Sequence, residues 1–238
     1  MSPRTPLLRP DRYFDGRQIS LARGIAVVLL VTVGLTAGVY SLGFILTENI
    51  DGTVTVDNPD RPPESFCDGT FESANGNADC DEPATVDKDI DVFLWKAVGS
   101  VAGQMIVGVP VLWLFVGLLL YAGSWLFDGD GPRSNAWVVA AWGLVPSVVS
   151  FAAVLVVLSL TFDPVTVTAG TDPTVFRDDV IGELGVLHTV GAVFGLLGTL
   201  WGAVIWRFGL EDGRNLSGTG ASIVAGAVAV FMFLFGAA

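Results

Sequence analysis

VGSVAGQMIVGVPVLWLFVGLLLYAGSWL, residues 98–126, contains no charged side chain in 29 positions. A helix rises ~1.5 Å per residue, so about 20 apolar residues cross the ~30 Å hydrocarbon core of a bilayer. No packed soluble core asks for such a run, and lipid is its natural solvent. The same test applied outward finds comparable runs at 24–47, 135–160, 183–206 and 218–235. The expected fold is therefore all-α: a polytopic transmembrane bundle of five spans, with an acidic extracellular loop between spans 1 and 2. Residues 98–126 exceed one upright crossing, and Pro110 within them predicts a tilt or kink. Pro146 stands inside the third run in the same way. Residues 89–97, with Phe93, Leu94 and Trp95, read as an interfacial segment ahead of the second span.

Residues 1–23 form a basic N-terminal segment with Arg4, Arg9, Arg12, Arg17 and Arg23. A basic start before an apolar run could be a signal peptide. The run after Arg23 is longer than a signal's apolar region, and no small-x-small cleavage site closes it, so it reads as a retained first span. Residues 48–97 hold the acidic loop and the interfacial segment, with short strands expected around Val54–Val56. A second outer loop covers 161–182. With five spans, the N-terminus and the turns at 127–134 and 207–217 share one side, which carries eight of the twelve Lys and Arg residues. The positive-inside rule puts that side in the cytoplasm, with the C-terminus outside, in the cell membrane. Trp95, Trp125, Trp137 and Trp206 lie near span ends, where an interfacial belt would place them.

The formal net charge of −12 excludes a nucleic-acid partner, which needs a basic face. Aspartate outnumbers glutamate 18 to 6, and Lys88 and Lys96 are the only lysines. A strongly hydrated acidic surface of this kind fits a halophilic, archaeal source.

Lipid gives helices no hydrophobic drive to associate, so small residues that let backbones approach must do the work. Gly191, Gly195, Gly198 and Gly202 are spaced four, three and four apart, which puts them on one helical face. They are the expected helix-packing face of the fourth span. Gly34 and Gly38, Gly99 and Gly103, and Ala221, Ala225 and Ala229 repeat the spacing, and such faces also allow a homo-oligomer. His188, three residues before Gly191, points into the bundle. Two roles fit it: a structural hydrogen bond to Gln104 or a backbone carbonyl, the plainer of the two, and proton transfer. Cys67 and Cys80 share the acidic loop. A disulfide there would persist outside the cell and is favoured over free thiols. Asp87, Asp89 and Asp91 alternate as at the start of a calcium loop, but Val92 stands where that loop requires glycine. No metal, cofactor or catalytic residue is expected, since the chain has no phosphate loop, His-Glu-x-x-His helix or nucleophile elbow.

Leu8-Arg9-Pro10-Asp11-Arg12-Tyr13-Phe14 precedes the first span, and the Gly/Asp turn 128–133 precedes an apolar helix with Trp142 and the Val145-Pro146 pair. Together these resemble the YIP-domain family, the Ypt/Rab-GTPase-interacting integral membrane proteins, over residues 7–235. The resemblance implies a non-enzymatic membrane scaffold or interaction protein with a membrane or cytoplasmic protein partner. No GTPase-contact motif carries over. From the residues alone, Pro10 can open a short helix, and Tyr13 and Phe14 beside Arg12 can sink into the inner headgroups as an interfacial anchor. The alternative function is a small-solute or ion permease using His188, Gln104 and the proline-kinked helices. A third is an outer-face sensor built on loop 48–91.

Overall fold

A computed structural model describes residues 5–15, 20–62, 80–167 and 173–236, with backbone alone for 167, 173–188 and 235–236. A short helix α1 (Pro10–Phe14) precedes α2 (Leu21–Asn49), β1 (Ile50–Asp57) and β2 (Thr85–Asp89). Then come α3 (Ile90–Leu126), α4 (Arg133–Gly143), α5 (Val145–Thr161), β3 (Val165–Val167), α6 (Pro173–Gly213) and α7 (Gly218–Gly236). Four stretches are apolar and long enough to cross a bilayer: Leu21–Asn49, Ile90–Leu126, Arg133–Thr161 and Thr189–Gly213. Gly218–Leu234 is a shorter apolar helix. Leu29, Leu30, Val33, Phe44, Ile106, Leu118 and Val156 all stand exposed on these helices. Water would penalise that surface, whereas lipid tails match it, so the chain is an all-α polytopic membrane protein.

Two departures from the sequence reading have local causes. Residues 90–97 are not a separate interfacial segment but the first turns of α3. Asp89 caps that helix by accepting from the Asp91 N–H at 3.2 Å, which satisfies one of its free donors. Ile90 then packs with Ile50, Leu46, Val54, Leu94 and Phe162, tying the helix start to the sheet. The expected strands near Val54–Val56 form β1, which pairs antiparallel with β2 and parallel with β3. The sheet thus gathers both acidic connections at one end of the bundle. The third span, expected as one helix over 135–160, is two. Pro146 cannot donate to the helix ladder, and α4 stops at Gly143 while α5 begins at Val145. The Ser147 hydroxyl donates to the Leu144 carbonyl at 2.6 Å and covers part of the break, the usual remedy for proline within a membrane span. Pro110, by contrast, sits inside an unbroken α3.

The main core lies toward the end opposite the sheet. It joins Val116, Leu120, Val139, Ile205, Leu210, Val224 and Val228 with Tyr13 and Phe14. Ala221, Ala225 and Ala229, at four-residue spacing, are all buried there.

Candidate functional site

The turn after α3 and the turn after α6 interlock at this second end, which we call the inner end. Asp128 (φ 60°) and Asn215 (φ 55°) both adopt the left-handed conformation, which these residue types tolerate best after glycine. The Gly129 N–H donates back to the Ser124 carbonyl at 2.9 Å, and the Asp128 N–H to the Trp125 carbonyl at 3.4 Å. That is a Schellman closure of α3. Arg214 enters from the second turn and is only 3% exposed. Its Nε donates to the Ser124 hydroxyl at 3.0 Å and its Nη2 to the Gly129 carbonyl at 2.7 Å. Its guanidinium stands 5.4 Å from the centre of the Tyr121 ring, a cation–π distance. Burial lowers the Arg214 pKa from its ordinary value, Tyr121 and Asp130 oppose the shift, and Arg133 adds to it. An arginine stays protonated through such a change.

Two side-chain amides fasten the same joint. Asn135 Nδ2 donates to the Gly213 carbonyl at 2.8 Å, and Asn215 Nδ2 to Asp130 Oδ1 at 2.7 Å. The glycines of the turn are required by proximity. A Cβ on Gly131 would stand 2.5 Å from the Gly213 oxygen and 2.8 Å from the Arg214 Cα. One on Gly129 would stand 2.8 Å from the Ser124 oxygen. The Gly/Asp turn seen in the sequence is thus a socket for the α6–α7 connection. Arg214 itself entered the sequence reading only as one of several inner positive charges. The signal that could have found it is Ser124, a hydroxyl in the otherwise apolar inner half of α3.

The N-terminal segment is part of the bundle. Pro10 is buried, Tyr13 is 2% exposed and Phe14 is 1% exposed, while Arg12 faces out. The expected insertion of both rings into headgroups is therefore corrected. Tyr13 meets the Trp142 ring edge-on at 5.5 Å and the Phe14 ring at 5.0 Å. Trp201 Nε1, in α6, donates to the Leu7 carbonyl at 2.8 Å. A backbone carbonyl packed against the bundle needs such a partner. The bundle offers two facing helices of rings and small side chains, which bury these aromatics better than the interface does.

The expected packing face of α6 is split. A Cβ on Gly202 would lie 2.6 Å from the Gly143 carbonyl oxygen, and one on Gly198 would overlap the Ser150 hydroxyl. Gly191 and Gly195 meet nothing within 4 Å. They line a cleft of about 400 Å³ with Ser150, Phe151 and Val154 of α5. The seam closes beside the α4–α5 break because the bend at Gly143 brings that backbone toward α6. Gly34 and Gly38 do seat neighbours: a Cβ would come within 2.9 Å of Val148 and 2.6 Å of Phe151 respectively. Gly99 and Gly103 seat none.

Trp125 is 69% exposed, as a belt residue should be, but Trp206 is 2% exposed and packs over Gly143 in the core. The interfacial position expected for Trp206 is corrected by that burial. Gln104 is exposed, and its Nε2 lies 3.5 Å from the Ser100 hydroxyl. The His188 side chain lies outside the described residues, as does Cys67. Cys80 is disulfide-bonded. Among the described residues no group of three or more His, Cys, Asp or Glu side chains could hold a metal ion.

The family described as Yip1 domain matches residues 6–238 of this chain. No curated protein and no solved structure matches it.

Proposed function

The chain belongs to the Yip1 domain family, and from that premise we propose that it is a non-enzymatic scaffold of the cell membrane whose inner end meets a protein partner. The observation that carries this reading is the docked N-terminal segment. Its aromatic residues and the Leu7 carbonyl are held by the bundle, which leaves Leu8, Arg9, Asp11, Arg12 and Asp15 exposed on a fixed surface. A preordered display of this kind spares a partner the entropy of ordering the peptide. The arginines of the inner end support a cytoplasmic placement by the positive-inside rule, with the acidic sheet outside.

The permease reading asked Gln104 to line an internal path. Gln104 is exposed and lines an open groove with Ser147 and Phe151 beside the α4–α5 break, so what it lines is a groove open to the outside of the bundle and not an enclosed path. The scaffold reading is tested by affinity purification of the full chain from its own membranes. Replacing Arg9 and Arg12 together by alanine should remove the co-purifying partners while thermal unfolding stays unchanged. An unaltered set of partners would sink the proposal.

A further inference from the structure

The groove beside Gln104 sits near the middle of the membrane. Its walls include Leu35 and Val39 of α2 and Ser147 and Phe151 of α5. Leu35 lies near the middle of the uncharged run Gly24–Thr47, and Ser147 near the middle of Arg133–Thr161. Both place Gln104 well inside the hydrocarbon. At ~100° per residue, Ser100, Gly103, Gln104 and Val107 fall on the side of α3 opposite Val98, Ala102 and Val109, and those three are the buried ones.

That side therefore looks into lipid, and its composition is wrong for lipid. Nearer the inner end the exposed positions of the same helix are Leu114, Phe115 and Leu118. Here Val101, Ile106 and Val107 are exposed as well, but Ser100, Gly103 and Gln104 set a hydroxyl, a bare stretch of backbone and a primary amide among them. Within the described residues the amide's one hydrogen bond is the long one to Ser100, so its carbonyl oxygen and a second N–H lack partners. Acyl chains offer neither donor nor acceptor, and an amide left unpaired in hydrocarbon is costly.

We infer that this face of α3 is the seat of a second copy of the chain, in which the two Gln104 amides hydrogen-bond to each other across a two-fold axis along the membrane normal. A carboxamide is self-complementary, since each donates from nitrogen and accepts at oxygen. A two-fold axis along the normal holds both copies at the same depth, so the amides meet. Gly103, with nothing within 4 Å of a Cβ, lets the two helices approach closely enough for the bond to form. The groove of about 990 Å³ beside Gln104 gives the partner helix room for its apolar side chains. The interface is isologous, so it closes at a dimer. The inference goes beyond the scaffold reading and does not depend on it.

The test is energy transfer between two populations of full-length chain, labelled on an N-terminal tag and reconstituted at a series of protein-to-lipid ratios. Transfer should exceed random co-localisation and saturate as a pair. Gln104→Leu should weaken the pairing by about tenfold, the size expected for two lost interhelical hydrogen bonds. Gly103→Leu should weaken it at least as much by holding the helices apart, while Leu30→Ala, on the exposed side of α2, leaves it unchanged. Thermal unfolding of the monomer should move little for any of them, because Gln104 and Leu30 are exposed and a Cβ at Gly103 meets nothing within 4 Å. Transfer at the random level for the wild type, as expected if a lipid or another membrane protein covers the amide, overturns the inference. So does pairing that Gln104→Leu and Gly103→Leu leave intact.

Discussion

At the inner end of the bundle, Gly129 and Gly131 lie against the backbone of a neighbouring turn, whereas in the half nearer the sheet Gly191, Gly195, Gly99 and Gly103 lie against nothing. The residue type is the same and its use is opposite. At the inner end the glycines admit a second chain segment, and every close approach is backed by a polar bond: Arg214 to Gly129, Asn135 to Gly213, Asn215 to Asp130. In the half nearer the sheet the glycines leave helix backbone uncovered, along a cleft at Gly191 and Gly195 and on the open side of α3 at Gly103. A glycine stripe in a membrane helix thus marks where a backbone can be approached, not where one has been. Whether it is filled depends on what the neighbouring helix does, and here the Gly143–Pro146 break decides it.

The widest gap between the two regions should appear on removing an aromatic that the inner core encloses. Phe14→Ala empties a site that is 1% exposed, and large-to-small changes at such sites cost about 3 kcal/mol. Unfolding in mixed micelles should show that loss, and limited proteolysis should release the N-terminal segment early. A variant as stable as the parent would mean that the segment is not part of the folded bundle. Arg214→Met comes next. It keeps the apolar stem but removes two charge-assisted hydrogen bonds, to Ser124 and Gly129, at about 2–3 kcal/mol together. Its signature is a lower midpoint with unchanged helix content, since the joint and not the helices is lost.

The comparison also separates what the sequence reveals from what it hides. Uncharged runs of 20 or more residues report on solvent directly, because lipid is the only medium that accepts them, and so spans can be read one residue at a time. The ends of those runs are less legible: α3 begins at Ile90 because a capped turn under the sheet extends it, a tertiary effect. The third span's break was foreshadowed by Pro146, but nothing in the neighbouring residues says that the freed Gly143 carbonyl would face Gly202. Arg214 was hidden for a related reason. A positive charge after a span satisfies the positive-inside rule wherever it points, so its sequence position cannot distinguish a solvated arginine from one held by Ser124 and the Tyr121 ring. Tyr13 and Phe14 were ambiguous in kind, since an aromatic next to arginine suits a headgroup and a protein groove equally well.

The smallest effects test the split seam most sharply, because the two positions compared lie about two helical turns apart on the same α6. Gly202→Val forces a branched side chain into the Gly143 carbonyl, where overpacking costs about 1–3 kcal/mol. Gly195→Ala puts one methyl into open space beside the cleft. It removes no contact, improves helix propensity and should leave stability within about 0.5 kcal/mol of the parent. Both variants replace a glycine on one face of one helix and raise helix propensity; Gly202 is buried against a facing backbone and Gly195 is exposed. Equal losses at the two positions would mean that α5 and α6 close along their whole length in the membrane and that the cleft does not persist there. A loss at Gly202 alone ties the packing of α6 to the proline break opposite it.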